Sequence, residues 1–132
     1  AAEVLALASD RIVVTGTVDD VRPYLQHAAT VVAPLRIARG IQNKILEAMA
    51  MSRPVIASTD CAAAVDAVVG QELLTAASPE EYVAAISQVL EAPETGTALG
   101  RAARQRVVER YTWEAHMKAI DPYLPAPSPR EP

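Results

Sequence analysis

Short apolar runs rich in β-branched residues alternate with stretches of helical period through the first two thirds of the chain. Arg11-Ile12-Val13-Val14-Thr15, Thr30-Val31-Val32-Ala33, Pro54-Val55-Ile56-Ala57 and Glu72-Leu73-Leu74-Thr75 read as four strands, the first ended by Gly16 and the second closed by Pro34. Between them lie three helical patterns. One runs from Asp19 or Asp20 to Ala28 with Val21, Tyr24 and Leu25 on one face. Another runs from Gln42 to Met51 with Ile45, Leu46 and Met49 toward a sheet, and a short Ala/Val helix covers 62–69 before Gly70. Continuous apolar strands separated by helices imply parallel crossovers. The expected fold class is therefore α/β: an open parallel Rossmann-like sheet with helices on both faces.

The last third reads as helical. Ser78-Pro79-Glu80-Glu81 has an N-cap residue, proline at the first helical position and acids in the first turn. Its helix is expected to reach about Leu90, with Tyr82, Ala85, Ile86 and Val89 as the apolar stripe. A second helix is expected over Ala98 to Arg110, and Thr112-Trp113-Glu114-Ala115 restarts a third that runs to about Ile120. The tail from Pro122 to Pro132 holds five of the ten prolines and is expected to be irregular.

Composition narrows the class without naming it. Of 132 residues, 51% are hydrophobic and 21% charged, which suits a globular domain with one modest core. A net charge of −4 offers no electrostatic footprint for nucleic acid. The single cysteine, Cys61, excludes an internal disulfide framework, fits a reducing compartment and reads as a small buried residue. No apolar run reaches the length of a membrane-spanning helix, so the expected location is the cytoplasm, or the inner face of the membrane by peripheral association. The opening Ala1-Ala2-Glu3-Val4-Leu5-Ala6-Leu7-Ala8 reads as the end of a helix, as in a chain cut from a longer one or trimmed at its start.

The stretch from Arg39 to Ser58 carries the chemistry. Gly40 stands directly before the Gln42–Met51 helix, so a permissive backbone can present N–H groups to an anion that the helix N-terminus also favours. Glu47, further along that helix, can accept hydrogen bonds from hydroxyls beyond the anion. The pattern fits a nucleotide or phosphosugar cleft; a glycine in an ordinary loop and a solvated glutamate fit it too.

These residues resemble the nucleotide-sugar-binding domain of the group 1 family of retaining GT-B glycosyltransferases. The resemblance rests on Gly16-Thr17-Val18 with Val21 to Leu25, on Ala29 to Leu35, and on the helix Lys44-Ile45-Leu46-Glu47-Ala48-Met49-Ala50. It continues through Arg53-Pro54-Val55-Ile56-Ala57-Ser58 and the ending Leu99 to Arg104 and Tyr111 to Glu114, spanning about residues 10 to 120. The segment Ile37 to Lys44 is similar to bacterial sugar transferases of exopolysaccharide and exosortase loci. The resemblance implies that residues 1–121 are the back part of a C-terminal nucleotide-sugar-binding domain, with 122–132 a Pro-rich tail. The whole enzyme is then a hexosyltransferase-like protein that moves a sugar from a nucleotide diphosphate-sugar to a glycan or lipid-linked acceptor. It implies no protein-bound metal or other cofactor. It also implies that the diphosphate clamp and the acceptor domain lie outside these residues, so the chain alone is expected to be inactive and to self-associate through uncovered apolar surface. The alternative is a non-catalytic nucleotide-binding or scaffold α/β module; a nonhydrolysing sugar-nucleotide epimerase of the same architecture is a further one.

The resemblance assigns Glu47 to the ribose hydroxyls and the N–H groups of Gly40 and Ile41 to the diphosphate or sugar. Gly16 and Thr17, with Val18, are placed at the base. The family's first glutamate of an E-x7-E pair falls on Arg39, the candidate for the catalytic position. An arginine is neither base nor nucleophile; it can neutralise phosphate or a charged sugar, or be a surface residue. Lys44, a cation in a first helical turn, is either near a phosphate or solvated. Asn43 either caps its helix or meets the nucleotide, and Asp19-Asp20 read as first-turn acids. His27 suits a helix C-terminus, His116 lacks partners at metal-ligand spacing, and Trp113 is expected to pack at the junction of the last helices.

Overall fold

The computed structural model describes residues 2–35, 40–118 and 120–124. Its helices are α1 (Ala2–Leu5), α2 (Arg22–His27), α3 (Asn43–Ala50), α4 (Thr59–Ala64), α5 (Pro79–Glu91), α6 (Pro93–Arg110) and α7 (Trp113–Lys118). The strands β1 (Val31–Ala33), β2 (Val55–Ala57) and β3 (Leu74–Thr75) form one parallel sheet in the order β1-β2-β3. Val31, Val32 and Ala33 stand opposite Val55, Ile56 and Ala57, and Ile56 and Ala57 opposite Leu74 and Thr75.

Because successive strand residues point to opposite faces, β2 serves two layers. Val55 and Ala57 enter a core with Ile45, Ala48 and Met49 of α3, Cys61 and Ala62 of α4, and Ala103 of α6. Ile56 points the other way, against Ala76 and Ala85, with Leu74, Tyr82 and Ile86 around them. Helices thus cover both faces, and β2 is buried along its whole length.

Two glycines let α6 approach. A Cβ on Gly100 would sit 2.1 Å from the Ser52 carbonyl oxygen, and one on Gly96 would meet the Val89 side chain at 3.1 Å. The loop beneath is fastened by Arg53, which donates to the carbonyls of Met51, Gln26 and Ala28, and by Arg104, which donates to the Ala50 carbonyl. The half-buried Arg106–Glu72 pair, 2.9 Å apart, joins α6 to the turn before β3. Glu72 also accepts from the Val68 N–H at 2.7 Å.

Several expectations are corrected. Arg11–Thr15 is not a strand: Ile12 makes only an isolated antiparallel bridge to Ser9, and no strand lies beside it among the described residues. The Ala/Val helix is α4, which starts at Thr59 and ends at Ala64, and α6 starts at Pro93 rather than Ala98. Of the α2 face only Leu25 is buried; Val21 and Tyr24 are exposed. Trp113 does not pack into a core, being 83% exposed. Residues 121–123 form a 3₁₀ turn, and the tail from residue 125 lies outside the described residues. Ser78 caps α5 as expected: its Oγ accepts from the Glu81 N–H at 3.2 Å, while Glu81 accepts from the Ala77 N–H at 2.7 Å. Cys61 is buried, and among the described residues no helix is long and apolar enough to cross a membrane.

Candidate functional site

In an open parallel sheet ligands bind outside the carboxyl ends of the strands. Here those ends open into the β1–α3 loop, the Ser58 turn and the Ala76–Ser78 turn. The β1–α3 loop contains the sequence-predicted anion site. Gly40 has φ +68°, a left-handed conformation that a side chain strains, and nothing lies within 4 Å of where its Cβ would be. Among the described residues no group accepts from the N–H of Gly40 or Ile41. Ile41 is 48% exposed, so the turn is open to an incoming anion. Gln42 then enters α3 in extended backbone, and its side-chain amide donates to the Gly40 carbonyl at 3.3 Å.

Asn43 is the first residue of α3 and makes no capping hydrogen bond, so the sequence-based capping role is not seen. Among the described residues nothing accepts from the N–H groups of Asn43 and Lys44 at the start of α3. Lys44, one residue on, is exposed and has no ion-pair partner among the described residues. Arg39 lies outside the described residues.

Glu47 lies four residues into α3, about 6 Å along its axis from Asn43. Its side chain is exposed and borders a cleft of about 380 Å³ with Asp19, Asp20, Val21, Arg22 and Met51. Arg22 is engaged: its guanidinium and its N–H both bond the Asp20 carboxylate at 2.9 Å. These hydrogen bonds hold the Asp20 carboxyl below its ordinary range. Asp20 thus stands just ahead of α2 rather than in its first turn. The cleft is acidic, which suits hydroxyl donors and repels phosphate.

Gly16 (φ +67°) and Thr17 sit in the loop ahead of Asp19 but do not line the Glu47 cleft. His27 closes α2, its Nδ1 2.8 Å from the Pro23 carbonyl oxygen. Among the described residues no group of three His, Cys, Asp or Glu is arranged for a metal.

Sequence reasoning missed a second and larger cleft, of about 670 Å³, at the ends of all three strands. Pro34 and Leu35 follow β1, Ser58, Thr59 and Asp60 follow β2, and Ala76 to Pro79 follow β3; Tyr82 of α5 closes the back. Ser58 Oγ and the Tyr82 hydroxyl are buried and have no hydrogen-bond partner among the described residues. Burial, with Cys61 nearby, raises the Tyr82 phenol above its ordinary value of 10.0. The available signal was the polar run Ser58-Thr59-Asp60 directly after β2.

Comparison with known proteins sets this geometry in a family. The model of the glycosyl transferases group 1 matches residues 1–92. No curated protein matches the chain significantly. Among solved structures, sucrose-phosphate synthase from Thermosynechococcus elongatus superposes with a TM-score of 0.68 at 25% identity, covering 78% of this chain and 26% of its own. The chain thus spans about a quarter of that enzyme's length. With most of its residues inside the family match, the chain belongs to the group 1 glycosyltransferases.

Proposed function

We propose that the complete protein is a retaining glycosyltransferase that moves a sugar from a nucleotide diphosphate-sugar to a glycan or lipid-linked acceptor, and that this chain supplies donor contacts. One observation carries the reading most directly: the open turn at Gly40, in a left-handed conformation that glycine adopts freely, leads into α3, which presents Glu47 further along the same axis. Charge that develops on a departing diphosphate is stabilised by preorganised donors, here the N–H groups of Gly40 and Ile41 and the N-terminus of α3. Lys44 adds positive field from the first turn, and Arg39 is assigned to the same task in place of the family's glutamate. Glu47 accepts from ribose hydroxyls, and Gly16 and Thr17 are assigned to the base.

The acidic Asp19–Asp20–Glu47 cleft supports this polarity, since it excludes phosphate from the ribose end. The segment Ile37 to Lys44 further supports a role in exopolysaccharide assembly at the inner face of the membrane. The test is product analysis with the complete protein and a panel of UDP-, GDP- and ADP-sugars, reading the anomeric configuration of the product by NMR. Glu47→Gln should weaken donor binding by about 1.5–3 kcal/mol, because it removes an ionised acceptor. Hydrolysis or epimerisation without transfer, or donor affinity and turnover unchanged in Glu47→Gln, would overturn the assignment.

A further inference from the structure

The cleft beside Glu47 has two unlike surfaces. Its less exposed part is apolar, with Leu25 of α2 facing Ala50 and Met51 at the end of α3 and Val21 beside them. Its exposed part is charged, and the charged groups differ in what they have left to give. Each oxygen of Asp20 already takes two hydrogen bonds from Arg22. Arg22 spends its Nε and one Nη on them, so the other Nη keeps its N–H donors among the described residues. Asp19 makes no hydrogen bond or ion pair among the described residues, so both its oxygens are open acceptors. Open carboxylate oxygens near a fixed cationic donor discriminate between nucleobases. Guanine carries a carbonyl oxygen, a ring N–H and an amino N–H side by side on one edge. Uracil carries one N–H between two carbonyl oxygens, so a carboxylate that takes its N–H sets its other oxygen against a carbonyl. Adenine pairs an amino group with a bare ring nitrogen, which sets that oxygen against a lone pair. Of the three, guanine alone gives a hydrogen to both oxygens of one carboxylate, and its carbonyl suits the spare Arg22 donors.

We propose that the donor is a guanosine diphosphate-sugar and that Asp19 selects its base by accepting the ring N–H and the amino N–H together. The proposal rests on the glycosyl-transfer reading for the presence of a nucleotide, and on this cleft for the choice of base. With Glu47 on the ribose, the flat ring lies against Val21, Leu25 and Met51. Arg22, held by Asp20, donates to the guanine carbonyl oxygen.

Binding of GDP, ADP, UDP and inosine diphosphate to the complete protein is measured by calorimetry. GDP should bind about tenfold or more tighter than ADP and UDP, because a polar edge that matches one base leaves groups unpaired with the others. Inosine diphosphate, which lacks only the amino group, should bind about fivefold more weakly than GDP. Asp19→Asn presents one acceptor and one donor in place of two acceptors. It should weaken GDP about tenfold, bring GDP and inosine diphosphate within about twofold of each other, and leave ADP and UDP within about twofold of their native values. Asp19 is exposed, so the circular dichroism spectrum of the variant should stay native. Three results would overturn the choice of guanine and leave the donor reading standing. They are ADP or UDP binding as tightly as GDP, inosine diphosphate matching GDP in the native protein, and Asp19→Asn leaving GDP unchanged or weakening all four nucleotides equally. Binding of none of the four overturns the donor reading, and the choice of base with it.

Discussion

Two segments with nearly the same sequence character meet different fates. Val55, Ile56 and Ala57 are fully buried at the centre of the sheet, whereas Ile12 and Val13 are 50% and 84% exposed in a loop. Both are β-branched runs bounded by turn or breaker residues. What separates them is company: β2 has β1 on one side and β3 on the other, and a helical layer over each face. Strand propensity is the fit of a side chain to a half-buried pleated surface, and without that surface the same residues remain loop. The order β1-β2-β3 corresponds to the 4-5-6 run of a doubly wound sheet ordered 3-2-1-4-5-6. A strand immediately before it in sequence would belong at the far edge, two strands removed.

The widest contrast comes from removing side-chain volume in the two places. Ile56→Ala should cost about 4 kcal/mol, since it leaves a cavity between β2 and α5 that neighbouring elements cannot fill. The readout is the denaturant midpoint at unchanged slope. A loss under 1 kcal/mol would mean that the sheet is no tighter than the loop ahead of it.

Adding volume tests the same packing from the outside. Gly100→Ala should cost about 2–3 kcal/mol, because the new methyl would overlap the Ser52 carbonyl and lift α6 from the loop under it. A crystal structure of the variant should show α6 displaced near Gly100. An unchanged melting temperature would show that α6 does not need that approach.

How much of this could be read beforehand depends on the range of the interaction concerned. The α5 cap was legible at Ser78 because its partners, Glu81 and Ala77, lie within four residues. β1 and β2 were legible because both sit beside partners within this chain. Arg11–Thr15 was misread because strand formation depends on neighbours that local sequence does not reveal. The start of α6 was missed although Pro93 and Glu94 carry the same signals as Pro79 and Glu80. Gly96 lowered the helical propensity there, and it is present for tertiary approach. In the candidate site, Gly40 and Glu47 stood out as a local pattern. The larger cleft did not, since Pro34, Ser58 and Tyr82 converge only once the parallel strands align.

Smaller in energy, but sharper as a test, is the behaviour of the loop itself. Val13→Ala in this chain should change stability by less than about 0.5 kcal/mol, as for other exposed positions. The N–H groups of residues 12–15 should exchange with solvent freely here. They should become protected in any longer form of the protein in which other residues pair with this run. Hydrogen exchange followed by mass spectrometry on both proteins decides the point. Fast exchange in both would mean that this run is never a strand and that the contrast with β2 is one of sequence.

The smallest effect separates the two regions by what stabilises them rather than by how much. Among the described residues the buried core holds no polar or charged side chain, so packing around β2 should be insensitive to mild acid. The segment ahead of α2 depends instead on the exposed Asp20–Arg22 pair. Hydrogen bonds from Arg22 lower the Asp20 pKa from its ordinary 3.8. A carboxyl whose folded value is depressed contributes stability above its unfolded pKa and loses it as pH falls through the folded value. The native protein should thus exceed Asp20→Asn slightly in melting temperature at pH 7, and the gap should close as pH drops below 3.8. Because the pair is exposed, 1 M salt should shrink the gap at pH 7 as well. A gap that persists at low pH and high salt would show that the charge of Asp20 is not what it contributes. The start of α2 would then be held by the same pH-independent forces as the sheet.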